Sequence, residues 1–209
     1  MIKKKVAIIN YGLGNLVSIE NALRYLKINN KIISNPKDLK NFSHLILPGV
    51  GSFSTGMKNI TKFGWDEEIK KFYSNRKLIL GICLGMQMLF SDSNEFGLSN
   101  GLGLIQGKCR MFSEETKNKI VIPHVGFNQV VFPETVISSG IDKNSSFYFI
   151  HSYRIKKVEP NVRYGYTTYG EKFISFVEKN NVFGTQFHPE KSHTAGLKLL
   201  KNFVNINKC

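Results

Sequence analysis

The first half of the chain alternates short apolar runs with stretches of helical periodicity. Residues 6–10 form an apolar, β-branched run that ends at the turn-forming residues 11–14, the pattern of a buried strand feeding a loop. The apolar positions that follow recur at helical spacing and predict an amphipathic helix: Leu16, Ile19, Leu23 and Leu26. Asn15 is the expected N-cap of this helix, because its short side chain can accept a hydrogen bond from a free backbone N–H.

The switch from strand to helix recurs further along. Residues 31–34 predict a short strand, residues 44–47 predict a more apolar one, and residues 78–82 predict another that runs into a helical stretch over 84–90. A strand, a loop and a helix form the repeating unit of a parallel sheet. We therefore expect an α/β fold with a mostly parallel central sheet flanked by helices, and with ligands at the carboxyl ends of its strands.

Between residues 105 and 185, short β-rich segments replace the helical periodicity. They are I-V-I-P-H, N-Q-V-V-F, F-Y-F-I-H-S-Y, V-R-Y-G-Y-T-T-Y, F-I-S-F-V and V-F-G-T-Q-F. Turn signals at Ser139-Gly140 and Asn180-Asn181 separate some of them and predict antiparallel β hairpins in this second half. A closing helix is predicted by Leu199, Leu200, Phe203 and Val204. Since we find no internal repeat and no linker, we expect residues 1–209 to fold as a single domain.

Basic residues outnumber acidic ones by 29 to 15, which gives a formal net charge of +14. This balance raises the question of nucleic-acid binding, because Lys and Arg neutralise phosphates. The charges are scattered, however. The longest basic run is Lys3–Lys5, and no zinc-finger, RRM or helix-turn-helix signature is present. We expect no nucleic-acid partner and interpret the charge as a solvated basic surface or as a patch that attracts an anionic partner.

The sequence contains no segment of membrane or secretory character. Its longest uncharged apolar stretch, Leu78 to Phe90, is shorter than the roughly 20 residues that span a bilayer, and its first residues lack the apolar core of a signal peptide. Cys83, Cys109 and Cys209 are odd in number and widely spaced, which fits neither a disulfide framework nor C-x-x-C metal spacing. We expect a cytoplasmic protein without membrane contact and without a bound metal.

The sharpest local feature is the segment Gly81-Ile82-Cys83-Leu84-Gly85, placed where an apolar strand turns into a helix. It has the form of a nucleophile elbow with Cys in place of Ser. A thiol at a helix N-terminus feels the positive end of the helix dipole, which favours the thiolate, and the next backbone amide can donate to an oxyanion. The alternative is a buried Cys that packs as a small hydrophobic residue.

A thiolate nucleophile needs a base, and the best candidate is His188 in the segment Q-F-H-P-E. It follows the predicted strand V-F-G-T-Q-F and so lies at a strand end, as the elbow does. Glu190 follows two residues later across a proline, and a carboxylate there can orient the imidazole and stabilise its charged form. Taken alone, H-P-E could equally be a surface turn.

A third segment, P-G-V-G-S-F at residues 48–53, also follows a strand. Two glycines let the backbone approach a ligand closely, so this loop could supply a second oxyanion donor, or it could be an ordinary βα loop. The histidines in apolar β segments, His124 and His151, are interpreted as core or interface residues. Cys109 lies between Lys108 and Arg110, which would lower the pKa of its thiol, but nothing else nearby resembles a site and we interpret it as structural.

With these segments assembled, the chain resembles the class I, or triad, glutamine amidotransferases, whose G-[IV]-C-x-G-x-Q elbow and H-P-E signature appear here in the same order. The resemblance implies that Cys83 attacks the side-chain amide of L-glutamine, that His188 carries the proton to the leaving ammonia and that Glu190 orients His188. It implies an oxyanion hole formed by the amides of Val50 and Leu84, and it implies no cofactor. The residues implied to line the glutamine pocket are Gly49, Gly51, Gln87, Ser152 and Tyr153.

Within that family, motifs along nearly the whole chain resemble those of the glutaminase subunits of imidazole glycerol phosphate synthase: N-Y-G-L-G-N-L, L-P-G-V-G-S-F, P-H-V-G-F-N, F-I-H-S-Y-R and Q-F-H-P-E-K-S. The resemblance implies a heterodimer with the cyclase subunit HisF, a (β/α)8 barrel. That subunit uses the ammonia to make imidazole glycerol phosphate and an aminoimidazole carboxamide ribotide in histidine biosynthesis. Asn15, Tyr148 and Lys191 are implied to face the cyclase. Phe127 departs from the family pattern, which usually has Trp at that position.

Because the amidotransferase motifs use the whole sequence, we expect the ammonia acceptor on another chain, and low activity until that partner is loaded. Three other functions stay open. A paralogous glutaminase would supply ammonia to a synthase that amidates surface sugars or glycans. A cysteine peptidase or γ-glutamyl hydrolase would use the same triad without a partner. A basic nucleic-acid-binding module would retain nucleic acid in a salt-dependent manner.

Overall fold

The computed structural model describes residues 4–112 and 120–206. Its strands are β1 (Val6–Ile9), β2 (Asn30–Ile33), β3 (His44–Leu47), β4 (Leu78–Ile82), β5 (Asp92–Ser93), β6 (Ser99–Asn100), β7 (Gly107–Met111), β8 (His124–Gln129), β9 (Ser146–His151), β10 (Tyr153–Val158), β11 (Arg163–Tyr169), β12 (Glu171–Lys179) and β13 (Val182–Thr185). Its α-helices are α1 (Leu16–Tyr25), α2 (Phe53–Lys62), α3 (Trp65–Ser74), α4 (Leu84–Met88) and α5 (His193–Asn205). Two short 3-10 helices lie at Pro36–Asn41 and Pro189–Lys191.

The parallel part of the main sheet is built from the most apolar segments of the chain. Its strands lie in the order β2-β1-β3-β4-β13, and every neighbouring pair among them is parallel. Strands β1, β3, β4 and β13 are buried along their whole length, as expected where helices cover both faces of a sheet. Since β13 comes from the second half of the sequence and pairs with β4 from the first, the two halves share one sheet.

The antiparallel part continues from β13 through β12 and β10 to β7, with β11 pairing along β12. Strand β5 pairs parallel with β7, and β6 pairs antiparallel with β5 at the far edge. Strands β8 and β9 form a separate antiparallel pair. This pair carries the backbone of β9 beside the end of β13, where Tyr148 and His188 form an isolated bridge.

Alternation of side chains along the central strands divides the core between two faces. On β3, Leu45 and Leu47 pack into a cluster that includes apolar residues of α2 and α3, whereas Ile46 packs into a second cluster with residues of α1 and α5. This is the period-2 consequence of β geometry. The helices therefore cover opposite faces and leave the carboxyl ends of the strands open to carry loops.

The predicted α/β fold, with a mostly parallel sheet and antiparallel strands in the second half, is confirmed. Strands β1, β3 and β4, the N-cap at Asn15 and the closing helix match their predicted positions. The Asn180-Asn181 turn joins β12 to β13 as expected.

Some element predictions were wrong or incomplete. The segment I-V-I-P-H forms no strand before His124, since Pro123 has no backbone N–H to donate to a ladder. The segment N-Q-V-V-F contributes only its first residues to β8, which ends at Gln129. The helical stretch predicted over 84–90 ends at Met88, and α2 and α3 were not predicted at all. That residues 1–209 form one domain stays a prediction.

Within residues 4–112 and 120–206, we find no helix with both the length and the apolar character needed to cross a bilayer.

Candidate active site

Cys83 lies on a strained turn between β4 and α4. Its backbone angles are φ 55° and ψ −111°, a conformation that is costly for any residue other than glycine. The flanking glycines are required by close packing: a Cβ on Gly85 would collide with the carbonyl oxygen of Leu47, and a Cβ on Gly81 would lie 2.6 Å from the carbonyl oxygen of Gly85. The Cys83 side chain is buried, but packing of a small apolar residue gives no reason for this strain. The geometry is that of a nucleophile elbow.

His188 and Glu190 are brought to the elbow by the pairing of β13 with β4. Ile82 lies opposite Thr185 in the parallel ladder, and the N–H of Cys83 donates to the carbonyl of Thr185 at 2.7 Å. Nδ1 of His188 lies 2.7 Å from Oε1 of Glu190, and the two side chains are 3% and 1% exposed. Because a carboxylate at neutral pH can only accept, Nδ1 carries the hydrogen and Nε2 is left for proton exchange with Cys83.

The backbone of His188 is also held in place. Its N–H donates to the carbonyl of Tyr148 at 2.8 Å, and its own carbonyl accepts from the hydroxyl of Ser192 at 2.6 Å. The same hydroxyl accepts from the N–H of Tyr148 at 3.0 Å, so β9 and the residues after β13 are joined at this point. A fixed backbone and an oriented ring are the conditions for a general base with a single tautomer.

Burial and charge act against each other on His188. Burial alone would lower the pKa of this imidazole, but the negative charges of Cys83 and Glu190 outweigh it and raise the pKa to about 10. Nε2 of His188 is buried, and Cys83 is the side chain that acts on it. Cys83 and Glu190 therefore favour the protonated form of His188, which is the form that can give a proton to a leaving group.

The loop after β3 packs directly against the N-terminus of α4. A Cβ added to Gly49 would lie 2.7 Å from Cβ of Leu84 and 2.8 Å from the N atom of Gly85, so only glycine allows this approach. Gly51 has φ +110°, a left-handed conformation that likewise favours glycine. Val50 and Leu84 line the same cavity as Cys83, and the role of their amides as oxyanion donors stays a prediction.

The sequence analysis missed Tyr11, which fixes the same loop. Its hydroxyl is fully buried and donates to the carbonyl of Pro48 at 2.7 Å. Burial and the charge of Cys83 raise the pKa of Tyr11 well above its usual value, so it remains a donor. No sequence signal pointed to it, because an aromatic residue after a buried strand is ordinary core material.

A cavity of about 240 Å³ opens beside Cys83. It is lined by Val50, Gly51, Cys83, Leu84, Gln87, Glu95, Pro123, Ile150, His151, Ser152 and Tyr153. The predicted pocket residues Gly51, Gln87, Ser152 and Tyr153 are thus together, whereas Gly49 is not among the residues that line this cavity. Both hydrogens of the Gln87 amide are used, one by the carbonyl of Tyr153 and one by Oε1 of Gln186, each at 3.0 Å. Gln87 therefore offers an acceptor, Oε1, to a ligand.

Glu95 is a second cavity residue that the sequence analysis missed. Its Oε2 accepts from the N–H of Phe53 at 2.6 Å, at the N-terminus of α2, and its backbone N–H donates to the hydroxyl of Ser93. A single Glu in a polar connection carries no motif, so only the folded chain reveals that Glu95 lines the cavity.

The other titratable residues near the site are structural. His124 and His151 are buried and hydrogen-bonded to each other at 3.0 Å, and Nδ1 of His151 donates to the carbonyl of Tyr153 at 2.7 Å. Burial lowers the pKa of both rings, that of His151 to about 3, so they stay neutral. Cys109 is fully buried, and burial raises the pKa of its thiol by more than the charge of Arg110 lowers it. This burial agrees with the interpretation of Cys109 as a structural residue. In the parts of the chain that the structure describes, no three His, Cys, Asp or Glu residues form a metal-binding group.

Two of the three residues predicted to face a partner lie beside His188. Nζ of Lys191 is 5.5 Å from the centre of the Tyr148 ring, and Phe127, 47% exposed, packs against the same ring at 5.5 Å. Asn15 caps α1 by accepting from the N–H of Ser18. Phe127 also stacks on His193, so this position keeps an aromatic contact despite the departure from Trp. That these residues bind a partner stays a prediction.

Comparison with known proteins agrees with this geometry. A family model described as glutamine amidotransferase class-I matches residues 7–206. Relatives named imidazole glycerol phosphate synthase subunit HisH include one from Sulfurimonas denitrificans, 43% identical over 95% of this chain and 97% of the relative, and one from Caldanaerobacter subterraneus, 44% identical over 98% and 99%. The chain belongs to the class-I glutamine amidotransferase family and, within it, to the HisH group. A further HisH relative, from Bacillus subtilis, is 40% identical over 96% of each chain.

Solved structures extend the match from the HisH group to the fold of the wider family. A chain of PurLQS from Thermotoga maritima has a TM-score of 0.75 at 21% identity, covering 98% of this chain and 99% of that one. A crystal structure of a glutamine amidotransferase has a TM-score of 0.72 at 19% identity, covering 95% and 96%. At these identities the likeness concerns the fold, and it confirms the predicted class I amidotransferase architecture.

Proposed function

We propose that this chain is a glutaminase subunit that hydrolyses L-glutamine to glutamate and ammonia and passes the ammonia to a cyclase subunit, HisF. The observation that carries the proposal is the position of Cys83: a strained elbow residue, beside a buried His188–Glu190 pair, at the wall of a cavity of about 240 Å³. Membership of the HisH group supports the pathway, histidine biosynthesis in the cytoplasm. Residues 1–209 act as one amidotransferase domain in this proposal.

The reaction follows from the charges at the site. The Cys83 thiolate adds to the side-chain carbonyl carbon of glutamine, and the resulting oxyanion accepts from the amides of Val50 and Leu84. Nε2 of His188 gives its proton to the amide nitrogen, which leaves as ammonia while a glutamyl thioester forms. His188 then takes a proton from water, the hydroxide displaces sulfur, and glutamate leaves. Glu190 stays ionised and holds Nδ1 throughout.

The cavity fits a free amino acid. Oε1 of Gln87 and the carboxylate of Glu95 are acceptors, which suit the α-ammonium group of glutamine. The cavity of about 240 Å³ has room for one free amino acid, and a glutamine within a polypeptide has no α-ammonium group for these acceptors to bind. The site therefore favours glutamine over the substrates of a cysteine peptidase.

The surface beside His188 suits the partner. Tyr148 is joined to His188 through one backbone hydrogen bond, and its ring is flanked by Lys191 and the half-exposed Phe127. HisF bound to these side chains would contact residues whose backbone is hydrogen-bonded to that of the base. This arrangement supports the expectation that activity is low until the loaded cyclase binds.

Substrate and partner can be tested together. The chain is incubated with L-glutamine or with glutamine-containing and γ-glutamyl peptides, with and without HisF, and co-elution with HisF is measured by size-exclusion chromatography. We expect a stable heterodimer that hydrolyses free glutamine and leaves the peptides intact. Peptide cleavage by the chain alone would contradict the proposal. Failure to bind HisF would contradict the proposed partner and would indicate that the ammonia goes to a different synthase, such as one that amidates sugars.

A further inference from the structure

Gln186 connects the nucleophile to the pocket through one side-chain amide. The residue precedes Phe187 in the Q-F-H-P-E segment and is fully buried. Its Nε2 lies 3.8 Å from Sγ of Cys83, and its Oε1 lies 3.0 Å from Nε2 of Gln87. Its backbone N–H donates to the carbonyl of Ser175 at 2.9 Å, so the sheet fixes the position from which this side chain projects. The contact with Sγ of Cys83 has no part in the reaction described above.

The orientation of the amide follows from its neighbours. The carbonyl oxygen of Tyr153 can only accept, so the Gln87 atom 3.0 Å away from it must be the donor Nε2. The Gln186 atom next to that Nε2 must then be the acceptor Oε1, and the amide of Gln186 has only one way to lie. Its Nε2–H is thereby turned toward Sγ of Cys83. A hydrogen-bond donor in this position stabilises the sulfur atom when the sulfur carries a negative charge.

We propose that Gln186 is a positioning residue: it stabilises the anionic form of Cys83 through Nε2–H and holds Gln87 in its glutamine-binding orientation through Oε1. The proposal rests on the proposed glutaminase function. A buried neutral amide suits both tasks, because a donor and an acceptor are needed on opposite sides of one planar group. A carboxylate in its place would still accept a hydrogen bond from Gln87, but it would repel the negatively charged sulfur of Cys83.

Two substitutions separate the two tasks. Gln186→Glu keeps shape and keeps an acceptor for Gln87, but it removes the donor to sulfur and places a carboxylate there. Gln186→Met keeps the length of the side chain and removes both contacts. Gln106→Met is the matched control, because the Gln106 side chain accepts from Ser91 outside the cavity.

The first measurement is the alkylation rate of Cys83 by iodoacetamide at pH 7, followed by mass spectrometry of the peptide that contains it. Loss of one hydrogen bond to a charged atom predicts a rate about tenfold lower in Gln186→Met, and Gln186→Glu should be slower still. The second is glutaminase kinetics in the complex with HisF. We expect a lower kcat with KM near that of the unsubstituted chain for Gln186→Glu, and both a lower kcat and a raised KM for Gln186→Met.

Circular dichroism confirms that each variant is folded before these comparisons. Alkylation of Cys83 at the unsubstituted rate in Gln186→Met would overturn the proposal, as would identical changes of kcat and KM in both variants, because a merely structural residue would give that pattern. If the unsubstituted complex hydrolysed no glutamine, the proposed function would fail, whereas the alkylation rates would still report on the contact between Gln186 and Cys83.

Discussion

Oε1 of Glu190 lies 2.7 Å from Nδ1 of His188, and both side chains are almost completely shielded from solvent. The second carboxylate oxygen, Oε2, is buried without a partner among the described residues. A charge in such a place is stabilised mainly by its one hydrogen-bonded neighbour, the imidazole. The pair therefore acts as a unit: the carboxylate fixes the tautomer of the ring and favours its charged form.

Replacing this carboxylate tests its role directly. In Glu190→Gln the shape is kept, but the charge that supports protonated His188 is lost, so we expect glutaminase kcat to fall about 10²–10⁴-fold. Glu159→Gln is the control, since Glu159 pairs with Lys179 away from the site and should leave kcat unchanged. Near-normal turnover in Glu190→Gln would show that Glu190 has no part in catalysis.

The same variant has a pH signature in stability. The pKa of His188 is raised to about 10 although burial opposes it, because the charges of Cys83 and Glu190 act on the ring. A raised pKa stabilises the fold fully below about pH 6.5, the usual value for His, and this stabilisation is lost as pH rises toward 10. We predict that Tm falls less between pH 7 and 10 in Glu190→Gln than in Glu159→Gln. Equal falls, measured by circular dichroism, would contradict the assigned origin of the shift.

Gly49 is predicted to be intolerant of any side chain. In Gly49→Ala the new Cβ would meet Leu84 and Gly85, so the loop must move away from the elbow, at a cost of about 1–3 kcal/mol in stability and at least tenfold in kcat. Gly103→Ala is the control: its Cβ would meet nothing within 4 Å, but φ +67° gives a backbone cost of about 1–2 kcal/mol. Both variants should lose stability and only Gly49→Ala should lose activity, as urea denaturation and glutamate assays can show.

Tyr11 is predicted to stabilise the fold through its hydroxyl. Tyr11→Phe leaves the buried carbonyl of Pro48 without this donor, so the free energy of unfolding should fall by about 1–3 kcal/mol. Tyr25→Phe makes the same chemical change at a side chain that is 75% exposed and should alter stability by less than about 0.5 kcal/mol. An equal effect of the two substitutions in urea denaturation would argue against the hydrogen bond.

The parts of the site that the sequence predicted are local in the chain. The elbow at Cys83 and the His188–Glu190 segment each span only a few residues and follow an apolar strand. The parallel pairing of these two strands, β4 and β13, is enough to bring the two segments together. Tyr11 and Glu95 were not predicted because their contacts are non-local. Tyr11 is hydrogen-bonded to a residue 37 positions away, and Glu95 is hydrogen-bonded to one 42 positions away. No spacing rule connects such pairs before the chain is folded.

The missed helices are a different case, because their signal was present. Phe53, Met57 and Ile60 recur at helical spacing in α2 and are buried. Trp65, Ile69 and Phe72 do the same in α3, after an interruption at Gly64. Periodicity could therefore have found both helices, whereas the shorter α4 could not be delimited, since every residue from Leu84 to Met88 is buried and no polar face marks its end.

The most direct test of the account is glutamate release from L-glutamine by the chain alone, by the chain with HisF and its nucleotide substrate, and by Cys83→Ala under the same conditions. The account predicts low glutamate release by the chain alone and strongly stimulated release by the loaded complex. It predicts no glutamate release by Cys83→Ala, although that variant still binds HisF. Full turnover without the partner would contradict the coupling, and glutamate release by Cys83→Ala would contradict the nucleophile itself.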